Sequence, residues 1–274
     1  MSELLGSWID GVAGDSIPIA DRGLQYGDGL FETILIRSGR PRFIDAHLAR
    51  LTLGCSRLGI PAQLTNLRAQ IDMAASSAPP LAILKLILTR GSAIRRGYAP
   101  QGEARPRRVM SLFAAPPAPP GNEGVSLRIA SLRLSESPAL AGLKHLNRLE
   151  NVLAASEPGH ENSFDAVLLS ERGDVIGGTM SNIFAVQGAR LVTPLVDRCG
   201  VAGVMRAIVI RECAALGIAV EQRRFSLDEL LKADAVFVTN ARIGVVPVRD
   251  VGEHDFAMNE LTTRLAGHVG NLDA

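Results

Sequence analysis

The sequence is poor in the features that mark secreted and membrane-spanning proteins. It has only three cysteines among 274 residues, Cys55, Cys199 and Cys213, and their spacing forms neither a disulfide framework nor a CxxC metal pair. No apolar run reaches the roughly 18 residues that a membrane-spanning helix requires. The first residues also lack the basic start and apolar core of a signal peptide. We therefore expect a protein of the reducing cytoplasm that has no membrane span.

An excess of charge of either sign is also lacking. The chain has 29 basic and 28 acidic residues, so nothing provides the positive field that nucleic acid or an anionic membrane would require. The five histidines show no paired spacing of the kind that binds a metal ion, and we predict no metal site. Hydrophobic residues make up 47% and charged residues 21% of the chain, which is typical of a globular enzyme.

Lysine is the scarcest of the charged residues. Only three of the 29 basic residues are lysines, namely Lys85, Lys144 and Lys232. An arginine is essentially always protonated and cannot act as an amine nucleophile, so lysine is kept mainly where arginine cannot replace it. If a side chain of this protein forms a Schiff base, there are three candidates. Lys85 lies inside an apolar strand and Lys232 near the end of a helix, where a cation favours the helix dipole, so both are weaker candidates than Lys144.

A proline-rich segment divides the chain. Residues 115–124, APPAPPGNEG, contain four prolines and two glycines, and such a segment cannot continue a helix or a central strand. We predict a smaller N-terminal α/β domain over residues 1–114, a linker over 115–124 and a larger C-terminal domain over 125–274. The alternative is a long surface loop inside one domain.

Hydrophobic periodicity predicts helices and strands in both parts of the chain. An apolar stripe from Ile44 to Leu58 indicates a helix. Ser226 and Glu229 form a capping box, in which Ser226 accepts from the amide of Glu229 and the Glu229 side chain reaches back. The other predicted elements are strands at 31–37, 81–89, 109–114, 125–134, 165–169, 181–186, 190–193, 218–224 and 235–239, and helices at 147–156 and 203–216. The fold class is mixed α/β.

Three segments are candidates for function. Asp21–Thr33 contains three glycines in seven residues beside two aspartates, which suits a tight backbone turn. In Leu140–Val152, Lys144 precedes a helix, and Schiff-base chemistry needs its amine to be unprotonated through desolvation or a cationic neighbour. Gly200–Arg206 begins a helix, whose free amides and dipole suit an anion such as phosphate. Taken singly, each segment is explained as well by a loop, a surface lysine or a turn.

Together, in this order and at this spacing, the three segments resemble the signature of the class IV enzymes that depend on pyridoxal phosphate (PLP). These are the D-amino-acid and branched-chain aminotransferases and the aminodeoxychorismate lyases. The resemblance extends from about Trp8 to Pro247 and is sharpest in Leu143–Leu153, LKHLNRLENVL, which is similar to the lyase form of the lysine motif. It implies the two-domain α/β (mixed α+β) fold of D-amino-acid aminotransferases, PLP as the cofactor, a small-molecule substrate and a homodimer.

The resemblance also implies roles for individual residues. Lys144 matches the lysine that forms the Schiff base with PLP and acts as general base, and Arg50 matches the arginine that grips the cofactor phosphate. Arg96 and Tyr98 are expected to bind the substrate, with Arg96 facing a carboxylate. The other expected cofactor contacts are Asn182 on the strand beneath the pyridine ring, the amides of Val204 and Met205, and the loop Asn240–Ala241.

One position departs from the family pattern. The pattern places a glutamate five residues before Asn182, where it pairs with the protonated pyridine nitrogen, but this chain has Gly177. A carboxylate there strengthens the ring as an electron sink, so its absence disfavours a full transamination cycle. An elimination that ends in an aromatic ring needs less carbanion stabilisation. The glycine therefore fits a lyase, and it equally fits a weakened or non-catalytic relative.

From the resemblance we expect a lyase that converts 4-amino-4-deoxychorismate to 4-aminobenzoate and pyruvate in folate biosynthesis. Two alternatives share the fold: a D-amino-acid or branched-chain aminotransferase, and a PLP-binding protein of low or no catalytic activity. A further alternative is a plain α/β binding domain without PLP, which would be colourless when purified.

Overall fold

The computed structural model describes residues 3–62, 64–93, 95, 97–100, 105–116, 119 and 123–272. The chain divides into two compact units. The first consists of Met1–Pro117 and Lys144–Asn147, and the second of Ala118–Leu143 and Arg148–Leu272. The segment Lys144–Asn147 thus packs within the first unit, although it lies in the second half of the sequence. The domain boundaries and the linker over 115–124 stay a prediction, and part of that linker lies outside the described residues.

The first unit is built around an antiparallel sheet. Its elements are β1 (Leu4–Ile9), β2 (Val12–Ala13), α1 (Arg22–Tyr26), β3 (Gly29–Arg37), β4 (Arg40–Pro41), α2 (Ile44–Leu58), α3 (Leu67–Ser76), β5 (Leu81–Thr89) and β6 (Arg107–Ala114). Within the described residues the sheet has six strands in the order β2-β1-β6-β5-β3-β4. Helix α2 packs against β3, where a side chain at Gly54 would meet Leu30. Ile34 and Ile36 of β3 are fully buried, as expected for one face of a covered strand.

Helix α2 confirms the prediction made from its apolar stripe. It begins at Ile44 and ends before Gly59, which adopts the left-handed conformation (φ 61°) and donates its amide hydrogen to the last carbonyls of the helix. The buried side of the helix includes one polar residue, His47, among Ile44, Leu51 and Cys55. Because α2 packs on β3, His47 lies in the interior of the unit.

The second unit contains a larger mixed sheet. Its elements are β7 (Val125–Leu134), α4 (Leu149–Ala155), a short 3-10 helix (His160–Asn162), β8 (Asp165–Ser170), β9 (Val175–Gly178), β10 (Asn182–Gln187), β11 (Arg190–Pro194), α5 (Val204–Ala215), β12 (Val220–Arg223), α6 (Leu227–Leu231), β13 (Ala235–Asn240), β14 (Gly244–Val251), β15 (His254–Asp255) and α7 (Glu260–Gly270). In the described part of the chain the sheet has nine strands, in the order β12-β11-β10-β13-β14-β7-β8-β9 with β15 beside β14. The β7–β8, β7–β14 and β11–β12 pairs are parallel.

The register of two central strands shows which residues lie together at one end of this sheet. Strands β10 and β13 run antiparallel with Asn182 opposite Thr239, so the start of β10 lies beside the end of β13. Phe184 and Phe237 face each other in the same pair, and their rings stack 4.8 Å apart in the core. On the other face of the sheet, Ile183 and Ala185 of β10 and Val236 and Val238 of β13 are buried in a hydrophobic cluster, so both faces of this strand pair are packed.

The mixed α/β class predicted from the sequence is confirmed, and the structure adds elements that the pattern did not reveal. Strand β9 is one of them, since it has only four residues and two are glycines. The helix predicted to begin at residue 147 begins at Leu149. Among the described helices, none is both long and apolar enough to cross a membrane. The described residues also contain no cluster of histidine, cysteine and acidic side chains that could hold a metal ion.

The predicted capping box at α6 is only half formed. The Ser226 hydroxyl accepts from the amide of Glu229 at 3.2 Å, as predicted. The Glu229 carboxylate does not reach back, because it binds the guanidinium of Arg223 and the amide group of Gln187. A charge-assisted bond to arginine is stronger than a bond to a backbone amide. The reciprocal half of the capping-box prediction is therefore wrong.

Candidate active site

The Asp21–Thr33 segment is a turn that positions the start of β3. Asp21 caps α1 by accepting from the amide of Gly23 at 2.8 Å, and Gly27 ends this helix in the left-handed conformation (φ 65°). The Asp28 carboxylate accepts hydrogen bonds from Arg22 and Arg90, which hold it ionised. Burial acts to raise the pKa of Asp28, but the two arginines outweigh it and lower the pKa. The turn is thereby locked on both sides of Gly27.

The lysine motif lies beside the first residues of β3. The amide of Phe31 donates to the carbonyl of Lys144 at 2.9 Å, and the amide of Leu146 donates to the carbonyl of Gly29 at 3.0 Å. A side chain at Gly29 would lie 2.5 Å from the Leu88 carbonyl oxygen, so only glycine fits there. The Nζ of Lys144 lies 4.2 Å from the centre of the Phe31 ring, within the range of a cation–π interaction. Main-chain pairing and this ring together define the position of the amine.

Behind this strand, a buried carboxylate joins β3 to α2. Glu32 is 1% exposed, and its two oxygens accept hydrogen bonds from Arg50, one of them from Nε at 2.8 Å. The Nδ1 of His47 lies 2.6 Å from the second oxygen. Burial by itself acts to raise the pKa of Glu32, but the hydrogen bonds from His47 and Arg50 lower it to about 2. Glu32 is therefore ionised at neutral pH and fixes the guanidinium of Arg50.

The same contact sets the protonation state of His47. Its burial lowers the pKa of the imidazole, the ionised Glu32 opposes this, and the charges of Arg50 and Lys144 lower it further. An ionised carboxylate can only accept, so the Nδ1 of His47 carries the proton. The Nε2 atom has no hydrogen-bond partner among the described residues. His47 is thus a neutral residue of fixed tautomer, mainly because it is buried.

Glu32 and His47 were not predicted from the sequence. The available signal was a glutamate within the apolar run of β3 and a histidine and an arginine three residues apart on one helix. Residues with this spacing share a helix face, but nothing in the sequence pairs that face with Glu32. The structure brings Lys144 and Arg50 into the first unit together with these two residues.

In the second unit, a glycine and an asparagine shape the N-terminus of α5. Gly203 precedes this helix, and no side chain of the described residues caps it. A side chain at Gly203 would lie 2.0 Å from the Oδ1 of Asn182, whose Nδ2 donates to the Val201 carbonyl at 2.9 Å. The amides of Val204 and Met205 therefore begin a helix with an uncapped, partly positive end, which suits an anion.

The Asn240–Ala241 loop lies at the same end of the sheet. The Oδ1 of Asn240 accepts from the amides of Arg242 and Ile243 at 2.9 and 3.0 Å, and its Nδ2 donates to the Met180 carbonyl at 3.2 Å. The side chain of Asn240 is thus used to hold the loop itself. For the ligand contact expected of this loop, the geometry therefore favours the backbone amide of Ala241.

Position 177 offers no acceptor to a ring nitrogen. Gly177 lies in β9, and a side chain there would come 2.9 Å from the Ser181 carbonyl oxygen. Asp165 is a buried carboxylate of the adjacent strand, but it accepts from the hydroxyls of Thr179 and Ser181 at 2.6 and 2.7 Å. Asp165 therefore holds the turn between β9 and β10 and does not take the place of the missing glutamate.

The predicted substrate residues are placed only in part. Tyr98 is 85% exposed, its carbonyl accepts from Arg22 at 2.6 Å, and its ring lies 5.5 Å from that of Tyr26. Arg96 lies outside the described residues. Of the other lysines, Lys85 is exposed on β5 with its Nζ 5.8 Å from the centre of the Phe31 ring, and Lys232 follows α6.

Each unit has residues that suit one functional group of PLP. A lysine amine in a defined position suits its aldehyde, and the glycine cradle at Gly203 opens an uncapped helix end that suits its phosphate. No carboxylate stands at position 177 for the ring nitrogen. The residues of each unit, taken separately, therefore fit a part of the cofactor.

Residues 29–251 match the model of the family described as amino-transferase class IV. The chain therefore belongs to this family, whose members are PLP-dependent enzymes. The matched range includes Lys144, Arg50 and the second-unit residues described above.

Individual proteins are also similar to this chain over most of its length. The chain is 36% identical to an aminodeoxychorismate lyase of Vibrio harveyi over 270 residues, which cover 96% of this chain and 98% of that protein. A crystal structure of a 4-amino-4-deoxychorismate lyase from Pseudomonas aeruginosa is similar with a TM-score of 0.92 and 42% identity, covering 98% of this chain and 100% of that one. A D-alanine aminotransferase of Bacillus licheniformis is 29% identical, covering 86% of this chain and 83% of that protein. The expected fold is thus confirmed.

Proposed function

We propose that the chain is a PLP-dependent carbon–oxygen lyase that converts 4-amino-4-deoxychorismate to 4-aminobenzoate and pyruvate. The observation that carries the proposal is the position of the Lys144 amine, which lies 4.2 Å from the centre of the Phe31 ring and is near enough for its charge to act on His47. Near full-length similarity to two proteins described as lyases of this kind supports the choice of reaction.

PLP is the cofactor that this function requires. Lys144 would hold its aldehyde carbon, and Arg50, Val204, Met205 and Ala241 would bind its phosphate, while Asn182 and Asn240 would shape the strand and loop around it. When bound, PLP supplies an electron sink for the carbon that carries the substrate amino group.

Lys144 would also serve as the base of the reaction, once the substrate amine has replaced the lysine amine at the aldehyde carbon. Its amine takes the proton from the ring carbon that carries the amino group, the carbon–oxygen bond to the enolpyruvyl group breaks, and one proton is returned to the departing enol to give pyruvate. Atoms and electrons balance without water or a redox partner. Glu32 keeps the charge of Arg50 in place, and the neutral His47 adds no positive charge near the lysine.

Gly177 supports a lyase over a transaminase. Without a carboxylate at this position the ring nitrogen is not held protonated, and the cofactor is a weaker electron sink. The proposed elimination tolerates this because the product ring is aromatic. A transamination cycle gains no such driving force.

The proposal is tested by incubating the purified chain with aminodeoxychorismate, with and without added PLP, and measuring pyruvate and 4-aminobenzoate. We expect equal amounts of both products and dependence on PLP. Amino-group exchange between amino and keto acids, without pyruvate release from aminodeoxychorismate, would show an aminotransferase instead. A yellow protein that is inert towards all these substrates would show a PLP-binding protein without efficient catalysis.

We also propose that the chain forms a homodimer. Leu149, Val152 and Leu153 share one face of α4, and each side chain is more than half exposed, so α4 presents an apolar stripe of the kind that marks an interface. Light scattering should give about twice the chain mass of 29.1 kDa. Leu153→Glu should shift the mass towards the monomer, whereas Leu53→Glu, at another exposed leucine, should not. A monomeric wild type would contradict the proposed homodimer.

The cytoplasmic location stays a prediction.

A further inference from the structure

One arginine of the second unit is half-buried, and its guanidinium has no partner among the residues that the structure describes. Arg242 lies in the turn between β13 and β14 and is partly withdrawn from solvent. Across the part of the chain that the structure describes, no hydrogen bond or ion pair reaches its guanidinium. Burial lowers the pKa of Arg242, and no neighbouring acid acts to raise it. A half-exposed guanidinium that no acid among the described residues neutralises is available to bind an anion.

A second buried arginine of the same unit shows the contrast. Burial also lowers the pKa of Arg206. Its guanidinium, however, donates to the Pro194 carbonyl at 2.9 Å and to the Gln222 side chain at 3.0 Å. Arg206 is therefore satisfied inside the protein and has a structural role. Arg242 is less buried than Arg206, and its guanidinium has no such partner among the described residues.

The turn that carries Arg242 is rigid and lies beside the proposed cofactor residues. Asn240 accepts from the backbone amides of Arg242 and Ile243, and Ile243 is buried in the core. The Asn240 side chain also donates to Met180, in the turn that leads into β10. Asn182 at the start of β10 in turn holds the residues before α5. Arg242 thus emerges from the sheet end at which Asn182 and the α5 N-terminus lie.

The acidic groups of this sheet end do not neutralise the arginine. Asp165 holds the β9–β10 turn, and its two carboxylate oxygens already accept hydrogen bonds from the hydroxyls of Thr179 and Ser181. Position 177 is glycine and provides no carboxylate either. These groups therefore leave Arg242 able to bind the anionic group of a ligand.

We propose that Arg242 binds a carboxylate group of the substrate, an inference that rests on the lyase function proposed above. Aminodeoxychorismate has two carboxylates, one on the ring and one on the enolpyruvyl group, and a guanidinium binds a carboxylate through two parallel hydrogen bonds. A guanidinium would bind the phosphate of the cofactor in the same way. The experiment therefore distinguishes a substrate carboxylate from the cofactor phosphate.

The experiment compares Arg242→Met and Arg242→Lys with the wild type, each loaded with PLP. Loss of a hydrogen-bonded charge pair should raise KM for aminodeoxychorismate about tenfold or more in Arg242→Met, with kcat changed much less. Arg242→Lys should recover part of the loss. Because the side chain has no internal partner, the thermal unfolding temperature should stay the same. Arg264→Met, at an exposed arginine of α7, is the matched control and should change neither KM nor stability.

Calorimetry supplies a readout that does not need turnover. Wild-type protein should bind 4-aminobenzoate more tightly than aniline, which lacks the carboxylate, and Arg242→Met should lose this preference if the ring carboxylate is bound. If the enolpyruvyl carboxylate is bound, the variant should instead lose inhibition by pyruvate. A fall in PLP affinity with unchanged KM would assign Arg242 to the cofactor phosphate and overturn the inference. Unchanged ligand preference, inhibition and KM would overturn it as well, whether or not pyruvate is released by the wild type.

Discussion

The buried Glu32 shows how one residue can link stability to the candidate site. Its carboxylate is held ionised by Arg50 and His47 in a place where burial alone would protonate it. Its pKa in the folded protein, about 2, is lower than the ordinary value of 4.5. The stabilisation from this group is therefore fully present above pH 4.5 and is lost as the pH falls towards 2.

Glu32→Gln tests this linkage. The variant keeps the shape of the side chain but leaves Arg50 without its counter-ion, so at pH 7 it should be less stable than the wild type by on the order of 3 kcal/mol. The difference should shrink as the pH is lowered from 5 to 3, because the wild type loses what the variant lacks. Urea unfolding at several pH values measures both curves. Glu161→Gln, at an exposed glutamate, should follow the wild type, and parallel curves for Glu32→Gln would contradict the assignment.

Gly177 could be identified as unusual from the sequence, but its packing could not. The structure shows that a side chain there would press on the Ser181 carbonyl oxygen, which also accepts from the amide of Gly178. The tight turn and the missing carboxylate therefore occur together in this chain. Asp165 was not predicted to hold this turn, because its bonds to Thr179 and Ser181 depend on strand pairing.

Gly177→Ala should therefore destabilise the protein. Forcing a side chain against fixed backbone costs about 1–3 kcal/mol, which should appear as a lower unfolding temperature. Gly267→Ala is the control, since a side chain at this position of α7 meets open space and alanine favours a helix. We expect Gly177→Ala to lower the unfolding temperature and Gly267→Ala to raise it. Equal stability of Gly177→Ala and the wild type would show that the turn gives way easily.

At the level of elements, hydrophobic patterns predicted those helices and strands that bury one regular face. Helix α2 and strand β5 belong to this group, and both have the bounds that their apolar residues indicate. Strand β9 was missed because it is short and rich in glycine. The Glu32–His47–Arg50 cluster was missed for a different reason: it is made by packing α2 on β3, and periodicity does not encode which helix covers which strand.

The contact between α1 and the segment around Tyr98 gives a prediction at this scale. Arg22 is buried beside Asp28, lies over the Tyr26 ring, and donates to the carbonyls of Gly97 and Tyr98 at 3.0 and 2.6 Å. Arg22→Met removes these bonds and should release the segment. Limited digestion with trypsin, followed by mass spectrometry, should show cleavage after Arg95 several-fold faster than in the wild type.

Arg68→Met, at a half-exposed arginine of α3, is the control for this digestion and should leave the cleavage rate unchanged. If Arg22→Met were cut after Arg95 at the wild-type rate, α1 would not be what holds the segment. The prediction concerns backbone order, so it stands or falls independently of the proposed reaction.

At the scale of the whole molecule, the order of three motifs was enough to indicate the family, and the match over residues 29–251 confirms it. The same motifs did not show that Lys144–Asn147 would pack within the first unit. That placement comes from main-chain hydrogen bonds to Gly29 and Phe31, and pairing between distant backbone segments leaves no periodic trace in either one. The lysine could be identified from the sequence, whereas the residues that lie around it in space could be identified only from the structure.

The central claim is that Lys144 is the residue that carries PLP, and the scarcity of lysine makes a direct measurement possible. The protein is loaded with PLP, any carbon–nitrogen link to a lysine is fixed by reduction with borohydride, and the peptides are mapped by mass spectrometry. With only three lysines in the chain, each outcome identifies one residue. The account predicts stoichiometric label on Lys144 and none on Lys85 or Lys232. Label on either of those two, or no label at all, would contradict it.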